Sequence, residues 1–569
     1  MTDTTPLRIF DRELHATEAR LVGGVSPASL ISAYVDWVLH LGNMPGYRTA
    51  LLQQIWQSNT ALLQHFFGLP GAEPLVPKLG DHRFDDPGWQ SLPFSLLEQS
   101  FLQAENWWES ATTGVPGVAR GNERMAAFIA RQLLDMMSPS NIPFLNPEVI
   151  SVTQRTHGEN LRRGLKYFLQ DLVEATDGLA DELPLKPGKD VAITPGSVVF
   201  RNELIELVQY SPATKTVHPE PVLIIPAWIM KYYILDLSPH DSMIKFLVEQ
   251  GFTVFCISWL NPGPELRETH LDDYRAEGVM PALSAACLIT GARKVHAAGY
   301  CLGGTLLAIT AAAMARDYDR RLASITLLAA QTDFSEAGEL QLFVNEAQLA
   351  FLDDMMWQQG YLDASQMANA FQMLRSADLI WSRLVRRYFL GIKDRPNDLM
   401  SWNLDATRMP YRMHSEYLWH MFRNNNLAEG RYPAGGSPVS LGDIHGPFFL
   451  VGTERDHIAP WHSVHKLHVL NHGDVTFVLA SGGHNAGIIS EPGHPNRYYR
   501  VLRRRHHGNY IPPEEWLKTA HCEQGSWWPT WAEWLAAHSS PPAPPPPMGN
   551  EAAGYKPICA APGTYVLQR

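Results

Sequence analysis

Cysteine is scarce in this 569-residue chain. Its five residues, at 256, 287, 301, 522 and 559, are odd in number, far apart and without C-x-x-C spacing. That excludes a disulfide framework and a cysteine zinc site, and fits a reducing cytoplasm. Charge is sparse too: 18% of residues are charged, and 46 Lys plus Arg against 58 Asp plus Glu give a net charge of −12. Such a surface has no general grip on a phosphate backbone, which excludes nucleic acid as a partner. The N-terminal segment MTDTTPLRIFDRELHATEAR mixes acids with bases and has no apolar run behind a basic start, so it is not a secretory signal. No G-x-x-x-x-G-K-[ST] and no strand-linked G-x-G-x-x-G occurs, so nucleotide hydrolysis and dinucleotide redox lack a basis. The one long uncharged run, 297–315, is broken by Gly299, Gly303 and Gly304 and then rich in Ala and Thr. It reads as a buried strand entering a buried helix, not as a transmembrane segment. His462, His465, His468 and His472 are spaced to fan around a helix instead of converging, which predicts a solvated histidine face and no metal.

What is present is apolar material, 45% of residues, in a chain longer than one core usually covers. Residues 1–190 read as a helical N-terminal domain. Leu51, Leu52, Ile55, Leu62, Leu63 and Phe66 form one helical stripe, Leu161, Leu165, Phe168, Leu169 and Leu172 another, and both are expected to pack on something. From about 195 the period changes. SVVF and ELIELVQY predict a short antiparallel pair, followed by strand runs PVLIIPAW, FTVFCISW, KVHAAG, ASITLLAA, GPFFLVGT and VTFVLASG. Most are separated by helix-length segments, which predicts a mostly parallel sheet with helices on its faces. The gap after ASITLLAA is too long for one crossover and predicts an inserted cap. The expected divisions are thus 191–340 and 441–540 for two parts of an α/β core, 341–440 for the cap, and 541–569 for a Pro-rich spacer and tail. Trp527, Trp528, Trp531 and Trp534 have helical spacing and predict a terminal helix docked by its Trp face. The run PPAPPPP reads as a stiff spacer.

Gly299-Tyr300-Cys301-Leu302-Gly303 is a G-x-C-x-G between a strand and a helix. In such a nucleophile elbow the reacting side chain sits on a strained turn, and the flanking glycines remove side chains that would clash. The helix N-terminus behind it favours a thiolate, and the N–H of Leu302 can stabilise an oxyanion. The elbow needs an acid after a later strand and a histidine after the last one. GPFFLVGT leads into Glu454-Arg455-Asp456-His457, and VTFVLASG leads into His484. The order Cys301, Asp456, His484 makes a triad, with Glu454 the rival acid and His457 the rival base. Ala227 or Trp228, after the earlier strand PVLIIPAW, is positioned to give a second oxyanion N–H. Together these features predict an α/β-hydrolase fold with an inserted cap subdomain. Cysteine in place of serine also speaks to the substrate. Thioester-to-thiolate acyl transfer is nearly neutral, so the acyl-enzyme keeps its activation for a hydroxyl acceptor.

At these residues the chain resembles the polyhydroxyalkanoate synthases. The matching stretches are DHRFDDPGW, SPSNIPFLNPE, VVFRNELIELVQY, IIPAWIMKYYILDLSP, GYCLGGT, LRSADLIW, SWNLDATRMP, ERDHIAPW, SGGHNAGII, GSWWPTWAEWL and APGTYV. The resemblance implies polymerisation of (R)-3-hydroxyacyl-CoA thioesters onto a growing polyester chain with release of coenzyme A, the thioester being substrate and no cofactor being needed. It places the family's catalytic Cys, Asp and His on Cys301, Asp456 and His484. Arg375 of LRSADLIW matches a family arginine near the coenzyme A phosphates, although the family pattern usually has Pro where Ser376 stands. His457 is a further substrate-binding candidate beside the acid. Length and GYCLGGT resemble the class I group that acts without a second subunit on short acyl units. The resemblance further implies a homodimer on the surface of cytoplasmic polymer inclusions, with the N-terminal helices a contact for polymer or for phasin-type granule proteins. The competing readings are a Cys-dependent thioesterase or lactone hydrolase, which shares the triad, and a non-catalytic granule-associated protein, against which an intact triad argues.

Overall fold

Six apolar runs become the parallel centre of one sheet. The computed structural model describes residues 6–22, 24–67, 69, 73–78, 80–177, 183–393 and 397–569. Its strands are β1 (Gly196–Arg201), β2 (Ile205–Tyr210), β3 (His218–Ile225), β4 (Phe252–Trp259), β5 (Val295–Tyr300), β6 (Leu322–Leu328), β7 (Phe448–Thr453), β8 (Val475–Ala480), β9 (Tyr498–Arg504), β10 (His521–Gln524) and β11 (Cys559–Ala560). They line up in the order β10-β9-β8-β7-β6-β5-β3-β4-β2-β1-β11. The block from β4 through β3, β5, β6 and β7 to β8 is parallel. β4, β5, β7 and β8 are buried at every position, as a sheet covered on both faces requires. On one face Val222, Ile224, Cys256, Ala298 and Val451 pack with the helices Met243–Glu249 and Trp528–Ala537. The helices Met280–Thr290 and Leu302–Arg316 contact β3, β5 and β6.

The strands β1 to β8 coincide with the runs read from sequence, including the antiparallel pairing of Gly196 with Tyr210 and Arg201 with Glu206. β9, β10 and β11 are additional. β9 carries Arg500, Arg503 and Arg504 in seven residues, which hides its strand period. The Trp helix docks as expected: Trp527, Trp528 and Trp531 have no exposure, and each indole N–H finds an acceptor, on Gly487 O (2.9 Å), Ile488 O (2.9 Å) and Thr326 Oγ1 (3.0 Å). The proline-rich run is not a free spacer. Ala543 pairs with Val217, Gln209 bonds Pro547 O and Gly549 N at 2.9 and 2.8 Å, and β11 pairs with β1. A Pro-rich strap of this kind closes a sheet edge without offering a new row of donors.

The described residues fall into two compact units. The larger draws on Met1–Thr17, Leu183–Ser365 and Pro396–Arg569, the smaller on Glu18–Glu182 and Gln366–Arg395, so the segment read as one insertion over 341–440 divides between them. The smaller unit is helical. It is held by Arg83, 8% exposed in its side chain, which pairs with Asp81, Glu105 and Asp135, and by the pair Arg387–Asp171. Its apolar stripes are not covered as the sequence suggested. Leu51 is buried, but Leu52, Leu63, Phe66, Leu165, Phe168, Leu169 and Leu172 are exposed. The core of this unit is centred on Phe84, Trp89, Phe101 and Leu102, and none of the stripe residues belongs to it.

The histidine face is also corrected. His462 and His472 are exposed, but His465 and His468 are buried, their rings 5.2 and 5.9 Å from that of Phe477 on β8. Two short helices, Trp461–His465 and Leu467–Leu470, turn those two rings onto the sheet. Burial, aided by neighbouring His and Arg504 charges, lowers His465 to about 4 and His468 to about 3. Burial likewise lowers His296 and His414, each to about 4. The unfolded chain binds these protons below its ordinary value near 6.5 while the folded chain does not, so stability falls as pH drops from about 6.5 towards 4, by roughly 1.4 kcal/mol per unit per group. The thermal midpoint is expected to drop steadily from pH 7 to pH 5, and less steeply in His468→Leu. A midpoint flat over that range would contradict this account.

Candidate active site

The turn from β5 into helix Leu302–Arg316 holds Cys301 at φ 52° and ψ −120°. A non-glycine residue there carries strain of order 1–3 kcal/mol and persists only where its surroundings over-determine it. Here they do. A Cβ on Gly299 would lie 2.4 Å from Gly304 Cα, and one on Gly303 would lie 2.1 Å from the carbonyl oxygen of Ile225. The Cys301 N–H donates to Leu328 O on β6 at 2.9 Å. Close approach of helix to strand is therefore what presents the sulfur at the carboxyl ends of the parallel strands.

Asp456 follows β7 and His484 follows β8. Their side chains meet: His484 Nδ1 and Asp456 Oδ2 are 2.7 Å apart. Thr453 Oγ1 donates to the same oxygen at 3.1 Å, and the N–H groups of Ile458 and Ala459 donate to Oδ1 at 2.9 and 2.8 Å. Burial opposes the charge on Asp456, but the imidazole and these donors outweigh it and hold the carboxyl below its usual range. A carboxylate only accepts, so Nδ1 carries the proton of this bond. Burial also works against a charge on His484. Asp456, the Cys301 sulfur and hydrogen bonds to both overcome it and raise the imidazole well above its ordinary value.

The surrounding loop is fixed from behind. Trp527 and Trp528 bond the carbonyls of Gly487 and Ile488 just after His484. Tyr300, next to Cys301, lies with its ring 5.7 Å from the imidazole and donates its hydroxyl to Asn485 Oδ1 at 2.7 Å. Tyr417, at the end of helix Tyr411–Tyr417, is buried, and burial raises its phenol well above the ordinary value. Its ring meets that of Trp228 edge-on at 6.2 Å. The elbow motif contains Tyr300; nothing in the sequence around Tyr417 marks it.

The remaining candidates are placed as follows. Glu454 accepts from Tyr498 Oη on β9 at 2.6 Å, so it is Asp456 that meets the histidine. His457 is partly exposed, and its carbonyl accepts from Glu339 N at 3.0 Å. Leu302 is the first residue of its helix, so the helix leaves its N–H unused. The carbonyls of Ile225 and Pro226 abut Gly303, which brings the next residue, Ala227, to the same turn. Arg375 lies in the smaller unit, partly exposed, donating to Asp378 at 2.6 Å, while Ser376 donates to the buried Asp135 at 2.7 Å. Among the described residues no group of three or more His, Cys, Asp or Glu converges as a metal site. No described helix is long and apolar enough to cross a membrane.

Comparison with known proteins agrees with this geometry. Residues 80–247 match the family model described as the N-terminus of poly-beta-hydroxybutyrate polymerase, residues 5–46 a second N-terminal model of that polymerase, and residues 220–490 the alpha/beta hydrolase fold. A poly(3-hydroxyalkanoate) polymerase of Methylorubrum extorquens is 42% identical, over 87% of this chain and 82% of that one. A poly(3-hydroxyalkanoate) polymerase subunit of Rhizobium etli is 38% identical over 95% and 87%, and that of Cupriavidus necator 35% identical over 90% and 87%. The sheet order, the elbow and this similarity along most of its length lead to one conclusion: the chain is an α/β-hydrolase-fold acyltransferase that belongs to the poly(3-hydroxyalkanoate) polymerase family.

Proposed function

We propose that this chain extends a polyester by way of a covalent thioester on Cys301. The observation that carries the reading is a strained cysteine at the carboxyl end of β5 together with His484 held 2.7 Å from Asp456. His484 takes the thiol proton, and the thiolate attacks the carbonyl of an (R)-3-hydroxyacyl-CoA. The N–H groups of Leu302 and Ala227 receive the oxyanion. The C–S bond to coenzyme A breaks, and His484 returns the proton to the departing thiolate. The 3-hydroxyl of the next unit or of the chain end then attacks the acyl-cysteine. His484 accepts the hydroxyl proton, an ester forms, and the cysteine is released. Asp456 holds the imidazole in the required tautomer and balances its positive charge.

No cofactor enters these steps. The Arg375 guanidinium is suited to the coenzyme A phosphates, and His457, beside the acid, to the incoming substrate. Tyr417 and Trp228 supply an apolar wall that limits water at the thioester, which favours a hydroxyl acceptor over hydrolysis. The GYCLGGT box supports short acyl units. The exposed stripes on helices Pro45–Phe66 and Glu159–Asp177 suit a polymer inclusion in the cytoplasm or a phasin-type protein, and a homodimer is the working assembly.

Two measurements test the reading. Given (R)-3-hydroxybutyryl-CoA, the wild type is expected to release coenzyme A and make chloroform-soluble polyester, and Cys301→Ala to do neither. Thiol release with only monomeric hydroxy acid would instead mark a hydrolase. Asp456→Asn is expected to lower the rate by about 10³-fold or more while Glu454→Gln stays within about twofold, since only Asp456 orients the base. Equal losses in the two variants would refute the assignment of the acid.

A further inference from the structure

Lys231 is an unusual residue to find beside this site. It is 3% exposed, with no carboxylate in direct contact among the described residues. Its ammonium donates to two main-chain carbonyls of the C-terminal strap, Gln568 O at 2.7 Å and Tyr565 O at 3.3 Å. The charged groups facing it are Asp405, Arg408 and Arg569, and Asp405 is already engaged by Tyr233 Oη at 2.9 Å. A buried charge satisfied mainly by another segment's carbonyls is costly to leave in place once that segment departs.

The backbone that carries Lys231 is the turn after β3 that also carries Ala227. Its carbonyls are taken up one by one. Pro226 O accepts from Trp259 Nε1 at 2.9 Å, Trp228 O from Thr407 Oγ1 at 2.5 Å, Ile229 O from Thr407 N at 3.2 Å and Lys231 O from Trp402 Nε1 at 2.7 Å. The strap is tied to the same structure at a second point, where Gln568 Oε1 accepts from Asn261 N at 3.2 Å. We propose that Lys231 is a positioning residue for acyl transfer: by clamping the strap at Tyr565 and Gln568 it fixes the turn whose Ala227 N–H faces the developing oxyanion. The inference rests on the reaction proposed above. Lys231 acts through the turn and does not touch the reacting atoms.

The test uses the full chain with Lys231→Met and Lys231→Arg, and a variant lacking residues 568–569. Three quantities are read: steady-state coenzyme A release from (R)-3-hydroxybutyryl-CoA, the rate of Cys301 alkylation by iodoacetamide, and release of C-terminal residues by carboxypeptidase. For Lys231→Met, kcat is expected to fall about tenfold or more with KM within about twofold, as for loss of an interaction made in the transition state. Cys301 alkylation stays at the wild-type rate, and carboxypeptidase frees Gln568 markedly faster. Lys231→Arg restores both kcat and protection. Deletion of 568–569 lowers kcat as Lys231→Met does, and decides the matter if that variant does not fold. Wild-type kcat in Lys231→Met or in the deletion would overturn the proposal, as would a loss of kcat with the strap still protected. A wild type that releases no coenzyme A would overturn the reaction itself, and with it this role, even with strap release as expected.

Discussion

A carboxylate without solvent exposure sets the geometry of this site. Asp456 accepts four hydrogen bonds, from His484, Thr453 and two backbone N–H groups. Each donor comes from the end of β7, the loop after it or the loop after β8, so the carboxylate can stay ionised only while those two parallel strands hold their register, Thr453 beside Ala480. The histidine in turn keeps its tautomer only while Asp456 holds Nδ1. The Asp456–His484 pair and the sheet are therefore one electrostatic unit. Loosening the sheet near Ala480 releases a buried charge as well as a contact, and the penalty for that is large. The sulfur side depends on a different constraint, the absence of side chains at Gly299 and Gly303, which lets a helix N-terminus close on two strands.

The parts of this arrangement that were legible in sequence are those with local signatures. Branched and aromatic runs showed β1 to β8, and the order of Cys301, Asp456 and His484 at strand ends anticipated the pairing of Asp456 with His484. Local pattern alone left Glu454 as a rival to Asp456, since they lie two residues apart in one turn. Glu454 accepts instead from Tyr498 on β9, a strand whose arginines conceal it. β11 is two residues long and pairs with a strand more than 350 positions away, so no local pattern marks it. Tyr417 was equally hidden, since a tyrosine in a helix of the inserted segment looks like any other core aromatic. Helical periodicity found the stripes of the smaller unit but not whether anything covers them. Period reports which face is apolar, and not what that face meets.

Polar groups do more of the holding than the composition suggests. With few charged residues, those present are concentrated where they fix irregular backbone. Arg504 donates to the carbonyls of His468, Asn471 and Gly473, and Arg83 gathers three carboxylates in the smaller unit. The indoles behave alike: Trp259, Trp402, Trp527 and Trp528 each give their N–H to a loop carbonyl near the site. An aromatic that buries its ring and spends its one donor on a loop couples the packed core to that loop, and a phenylalanine would fill much of the space without that coupling.

The strap at the sheet edge also has a temporal side. Glu206 on β2 has no exposure and accepts from Arg201, and its remaining donors, the N–H groups of Thr564 and Tyr565 and the Thr564 hydroxyl, lie 358 and 359 residues further along. At ribosomal rates those donors emerge on the order of 20–70 seconds after Glu206. For that interval the carboxylate has only Arg201, and the edge of β1 is open. Residues 541–569 thus determine when the β1 edge of the sheet is sealed, and a nascent chain stalled short of them would present an unpaired strand beside a half-satisfied buried acid.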